Sequence, residues 1–220
     1  MKIAILLYPN FTALDAIGPY EMLAHGPMVD LQFVAKKKEI ISSETGFLNI
    51  QATASFDEIE HADILVIPGG PGEAAAARDS ETIAWIKKIH KTTRFTTSVC
   101  TGSIILGAAG LLNGLNATTH WAAAKHLEQF GATYQAERWV QEGKIITAAG
   151  VSAGIDMALY MVGEIMGPDA AQMIQLSTEY DPAPPYDAGS LAKAPPHISA
   201  AMTQHFSASM EQRNRGLNSN

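Results

Sequence analysis

Apolar residues fall along this chain in short blocks, punctuated by glycine, proline and polar clusters. Lys2–Tyr8 and Ile64–Ile67 are nearly unbroken apolar runs. Such runs predict strands buried on both faces, as in a parallel sheet covered by helices. Leu31–Ala35 and Arg94–Val99 read as further strands, and Ala117–Thr119 as a short one. Between these blocks the period lengthens. Thr12 or Asp15 starts a helix carrying Gly18–Leu23, and Ser80–Lys88 sets Ile83, Ile86 and Ile89 opposite Lys87 and Lys88. Helices are also predicted over Gly102–Leu112, Trp121–Phe130 and Gly154–Met166, with another after Pro168-Asp169. Glu44-Thr45-Gly46 and Glu142-Gly143 sit between apolar segments and predict two hairpins, while Asp57–His61 reads as a short helix or turn. The proline-rich stretch Asp181–Tyr186 reads as extended, and the polar tail from about 207 to 220 as frayed.

Strands alternating with helices predict an α/β fold, a three-layer α/β/α sandwich of the flavodoxin-like kind on a mostly parallel sheet. No internal repeat or low-complexity linker divides the chain, so a single domain over 1–220 is expected.

Composition narrows the function. The 22 acidic and 15 basic residues give a formal charge of −7, which offers no electrostatic footprint for nucleic acid or an anionic membrane surface. No apolar run approaches the roughly 20 residues that a spanning helix needs. Met1-Lys2 leads straight into a strand-like run without a small-residue cleavage site, so no secretory signal is expected. The single cysteine, Cys100, rules out an intramolecular disulfide and points to the cytoplasm. The seven histidines show no zinc-site spacing, so no metal is expected.

Candidate chemistry centres on Cys100, where the strand ending at Val99 meets the helix opening at Gly102. A sharp strand-to-helix turn lifts a side chain above the sheet, as a nucleophile elbow does. The positive helix end is expected to lower the thiol pKa. A buried structural cysteine is the alternative. Pro68-Gly69-Gly70-Pro71-Gly72 ends another parallel strand and belongs at the same sheet edge. Its backbone N–H groups, with that of Thr101, are candidates for an oxyanion pocket; a plain chain-reversing turn is the alternative. It is no phosphate loop, because no Lys-Ser or Lys-Thr follows. Asp15 follows the first strand among apolar neighbours. It reads either as a helix cap or as a partly buried acid/base whose pKa burial raises. His120 and Asp156 read first as hydrogen-bonded structural groups, with Trp121 in the core. Gly150 and Val151 mark a candidate mobile point before the long helix.

Leu14–Pro19, Ile67–Gly70 and Ser98–Ser103 together resemble the DJ-1/PfpI superfamily, and most closely its isocyanide hydratase branch. Ala108–Leu112, Ala117–Trp121, Ala153–Asp156 and Glu179–Pro185 carry the resemblance further, so that it covers Met1 to about Tyr186. It departs from the protease-like and deglycase-like branches, which place histidine after the cysteine and glutamate in the first helix; here Thr101 and Asp15 stand there. Related regulators append a helix-turn-helix region, for which too few residues follow Tyr186. The resemblance implies a cofactor-independent hydro-lyase, and a homodimer, that adds water to an isocyanide to give an N-substituted formamide. It implies Cys100 as nucleophile, forming a thioimidate, and Asp15 as acid/base. Thr101 would orient Asp15 or water, and Gly69 and Gly70 would stabilise developing charge. A glyoxalase-type activity on α-oxoaldehydes and a non-enzymatic cysteine redox sensor remain as alternatives.

Overall fold

The apolar runs form the middle of a sheet in a computed structural model that describes residues 1–26 and 28–217, the side chains of 210–217 excepted. In chain order the first half comprises β1 (Lys2–Leu6), α1 (Ala13–Leu23), β2 (Asp30–Ala35), β3 (Ile40–Ser42), β4 (Asn49–Gln51), β5 (Ala54–Ser55), β6 (Ile64–Ile67), α2 (Glu73–Arg78), α3 (Ser80–His90) and β7 (Phe95–Val99). The second half comprises α4 (Gly102–Ala108), β8 (Asn116–Ala117), α5 (Ala124–Glu128), β9 (Thr133–Tyr134), β10 (Trp139–Glu142), β11 (Ile145–Ala148), α6 (Ala153–Met166), α7 (Pro168–Ser177) and α8 (Pro196–Leu217).

Seven strands pair in the order β10-β11-β7-β6-β1-β2-β5. Every neighbour is parallel except the β10–β11 hairpin at one edge. All residues of β6, β7 and β11 are buried, which is why their sequences do not alternate. Helices flank the sheet in two packed groups, α1 with α6 and α7, and α2 with α3 and α4, giving the expected flavodoxin-like sandwich. The chain leaves β1 for β2 on one side and returns to β6 on the other. Loops leaving β1 and β6 therefore diverge, opening a crevice at the carboxyl edge.

Several local expectations change. The buried face of α3 is Thr82, Trp85, Ile86 and Ile89; Ile83 is only half-buried, because the apolar stripe is turned toward Trp85. α4 stops at Ala108 rather than Leu112: Gly110, at φ 72°, reverses the backbone, and the Leu111 N–H reaches back to the Leu106 carbonyl. The segment from Trp121 forms a 3₁₀ turn and then the short α5, and Trp121 is half-buried rather than core. The expected frayed tail is helical through Leu217 as the end of α8; 218–220 lie outside the described residues. The chain divides into two compact units, Met1–Glu179 and Tyr180–Asn220, where a single domain was expected. Among the described residues no helix is long and apolar enough to cross a membrane.

Candidate active site

Four strand ends converge at the carboxyl edge. β1 leads to Asp15 in the first turn of α1, and β6 to Pro68–Gly72. β7 leads to Cys100, and β11 to Gly150 and Val151. Cys100 has a φ of 56°, the left-handed conformation that a sharp elbow requires. That conformation costs a side-chain-bearing residue about 1–2 kcal/mol. The Cys100 N–H donates to the carbonyls of Ala148 (3.1 Å) and Ala149 (3.0 Å), while its carbonyl accepts the hydroxyls of Ser103 and Thr119, both at 3.1 Å.

Glycines let the neighbouring loops interlock through their backbones. A Cβ at Gly102 would lie 2.1 Å from the Ile67 carbonyl oxygen, and one at Gly69 would lie 2.4 Å from the Thr101 nitrogen. No side chain fits at either point.

Asp15 is completely buried. Its Oδ2 accepts the Gly69 N–H at 2.9 Å, and its other oxygen is buried without a hydrogen-bond partner. Burial pushes the carboxyl up to about 7, outweighing the Gly69 N–H and the thiol, which pull it down; the Glu44 carboxylate adds an upward push. Glu44 itself accepts the Ala13 N–H at the start of α1, at 3.0 Å.

The thiol corrects one expectation. Cys100 is only 6% exposed, and this burial, reinforced by the Asp15 carboxylate, pushes its pKa up rather than down. The N–H groups of Thr101 and Val151 face the sulfur and oppose the shift, but desolvation outweighs them. The resting site therefore holds a thiol beside a carboxyl group that titrates near neutrality.

Gly69 and Gly70 correct another. The Gly69 N–H is occupied by Asp15, and the Gly70 N–H donates to Thr101 Oγ1 at 3.0 Å. Neither is free to bind a developing anion, because both loops pack directly onto the starts of α1 and α4. The Thr101 hydroxyl is likewise committed to Gly70 rather than to Asp15. The backbone N–H groups that act on the thiol are those of Thr101, already a candidate donor, and of Val151. Val151, a β-branched residue at φ 37°, is held in a strained conformation. Sequence reasoning singled it out only as a mobile point. Its role as a donor was legible from the hairpin, since pairing β11 beside β7 brings the residues after Ala148 to the cysteine.

His120 and Asp156 stand outside the reacting pair. His120 Nδ1 accepts the Ala122 N–H at 3.3 Å, the expected capping role, and its ring lies against Gly150. Asp156 pairs with Arg138 at 2.6 Å. Among the described residues no cluster of three or more His, Cys, Asp or Glu side chains could hold a metal ion.

Known proteins share this architecture. The DJ-1/PfpI family profile matches residues 1–164. Isonitrile hydratase of Pseudomonas putida is 43% identical over 195 residues, 89% of this chain and 85% of that protein. The transcriptional regulator CdhR of Pseudomonas aeruginosa is 25% identical over 185 residues; the match takes in 80% of this chain but only 53% of the regulator. A crystal structure of a ThiJ/PfpI family protein from Pseudomonas syringae superposes with a TM-score of 0.93 at 40% identity, covering 97% of this chain and 89% of that one. On its sequence, its fold and its elbow cysteine, this chain belongs to the DJ-1/PfpI family.

Proposed function

We propose that this protein is an isocyanide hydratase, a hydro-lyase that converts R–N≡C and water to R–NH–CHO. The observation that carries the reading is the buried Cys100 thiol at a left-handed elbow, near enough to the buried Asp15 carboxyl for each to shift the other's titration, with Asp15 pushed up to about 7. The 43% identity to an isonitrile hydratase over most of both chains supports it.

Asp15 in its carboxylate form takes the thiol proton as sulfur attacks the terminal isocyanide carbon. The same proton is then delivered to that carbon, leaving the thioimidate Cys–S–CH=N–R. Water adds to this carbon, giving a proton to Asp15, which passes it to the nitrogen. Collapse of the tetrahedral adduct breaks the C–S bond, the departing thiolate takes up the proton released by the adduct hydroxyl, and the formamide leaves. The sequence consumes one water and returns Cys100 and Asp15 to their starting states. The N–H groups of Thr101 and Val151 stabilise the departing sulfur anion. The chemistry calls on no cofactor.

A low-dielectric thiol suits this substrate. An isocyanide presents an uncharged, rod-like terminus with its reactive carbon at the tip, which can reach a sulfur that is only 6% exposed. The test is formamide production from an alkyl isocyanide, run beside methylglyoxal consumption. Turnover of the isocyanide that disappears in Cys100→Ala supports the reading. Full activity in Cys100→Ala eliminates the covalent route, and turnover of methylglyoxal alone transfers the assignment to α-oxoaldehydes.

A further inference from the structure

The strained elbow at Cys100 persists only if its surroundings over-determine it. Two hydroxyls converge on its carbonyl, from Ser103 and Thr119, and both side chains are fully buried. Ser103 lies three residues on, in the first turn of α4, and its bond is local. Thr119 arrives from 19 residues away. It is the long-range partner of the elbow carbonyl.

The loop that carries Thr119 is anchored independently of the elbow. The Thr118 N–H donates to Thr147 Oγ1 at 2.8 Å, and the Thr118 hydroxyl donates to the Glu137 carbonyl at 3.1 Å. His120, the next residue, packs so closely on Gly150 that a Cβ there would come within 2.8 Å of its ring. Three consecutive residues thus brace β11, the cysteine carbonyl and the residue preceding the Val151 donor.

From this we infer that Thr119 is a positioning residue for the nucleophile, its hydroxyl fixing the Cys100 main chain so that the sulfur faces Asp15. Its hydroxyl contacts the Cys100 peptide carbonyl, and it acts through Cys100 rather than on substrate. A buried hydroxyl–carbonyl bond across two distant segments resists rotation of the elbow peptide, and that peptide sets the direction of the Cα–Cβ bond. The inference rests on Cys100 being the nucleophile.

The full-length protein is tested as Thr119→Val, which keeps the shape and removes the hydroxyl, and as Thr119→Ser, which keeps the hydroxyl. Thr118→Val removes a buried hydroxyl from the same loop without touching the elbow. Two readouts are taken, the rate of Cys100 alkylation by iodoacetamide and the separate kcat and KM for an alkyl isocyanide. Thr119→Val is expected to lower alkylation and kcat about tenfold, the scale of one buried hydrogen bond, with KM little changed. Thr119→Ser is expected to restore both, and Thr118→Val to leave both near the parent.

Wild-type alkylation and kcat in Thr119→Val overturn the inference. So does a Thr119→Ser protein as slow as the valine variant, or a Thr118→Val protein equally impaired. Should Thr119→Val not fold, Thr119→Ala is measured in its place with the same expectation. Failure of both to fold, with Thr119→Ser normal, assigns the hydroxyl to stability alone and also overturns it. Alkylation reports the thiol whatever the substrate. Hydroxyl-dependent alkylation without isocyanide turnover therefore sinks the substrate reading and leaves this inference standing.

Discussion

The two ends of β7 are both buried, yet they treat their polar groups in opposite ways. At the amino end, the Thr96 hydroxyl meets Thr93 Oγ1 at 2.7 Å and His90 Nδ1 at 2.9 Å. Thr93 Oγ1 also donates to the His90 carbonyl at 3.0 Å, and the Lys144 ammonium donates to the carbonyls of His90 and Thr93. Burial, aided by the Lys144 charge, holds His90 below the ordinary histidine range, so it stays neutral among neutral hydroxyls. Donors and acceptors are matched there. At the carboxyl end, Cys100 and Val151 occupy left-handed backbone, and the Asp15 carboxyl has one buried oxygen without a hydrogen-bond partner. One end of the strand stabilises the fold, and the other retains strain and a displaced pKa, which chemistry can use.

Substitutions at each end sharpen this contrast. Cys100→Ala is expected to abolish formamide production while the protein stays folded, as activity and circular dichroism together would show. Asp15→Asn keeps the shape and the acceptor for Gly69 but loses the base, so kcat/KM should fall by about 10²–10⁴-fold.

The same variant tests the strain by its effect on stability. The folded-state carboxyl titrates at about 7 rather than at the ordinary aspartate value of 3.8, so the native protein holds an extra proton between those values. Stability therefore falls as pH rises through that window, by up to about 4 kcal/mol. Asn removes this loss. Asp15→Asn should be more stable than the parent above neutrality and no more stable below the ordinary carboxyl range, as denaturant unfolding at the two pH extremes would measure. An equal effect at both extremes would deny the displaced pKa.

At the amino end the expected pattern inverts. Thr96→Val leaves His90 and Thr93 each short of a partner and should cost about 1–3 kcal/mol of unfolding free energy with kcat unchanged. A fall in kcat would mean that the two ends are coupled and break the comparison. The smallest effect is expected at Glu44. Glu44→Gln keeps an acceptor for the Ala13 N–H but removes a negative charge that raises Asp15. The acidic limb of the pH–rate profile, set by the carboxylate form of Asp15, should then move to lower pH.

Much of this was legible from residue order. β1 and β6 announced themselves as apolar runs because strands covered on both faces have no polar side to display, whereas β7 buries Thr96, Thr97 and Ser98. Gly46 at φ 74° and Gly143 at φ 59° mark the two hairpins, where their left-handed backbone favours glycine. Cys100 stood out as the single cysteine, placed where a strand ends and a helix opens. The two-residue strands β5 and β9 were invisible, since they exist through pairing rather than propensity, and the short strand expected over Ala117–Thr119 pairs instead as β8, Asn116–Ala117. α2 lies in an alanine-rich stretch whose only local sign was the proline-glycine segment before it.

Sequence alone determined the α/β class, the central strands and the identity of the thiol and carboxyl, because periodicity and turn chemistry act over a few residues. Tertiary structure decided how those groups behave. Whether the Gly69 and Gly70 N–H groups are free or occupied depends on contacts with Asp15 and Thr101, which lie more than thirty residues away in the chain. The direction of the thiol pKa was settled likewise, by the desolvation that four converging loops impose on one sulfur, against a helix end whose pull is the only part visible locally.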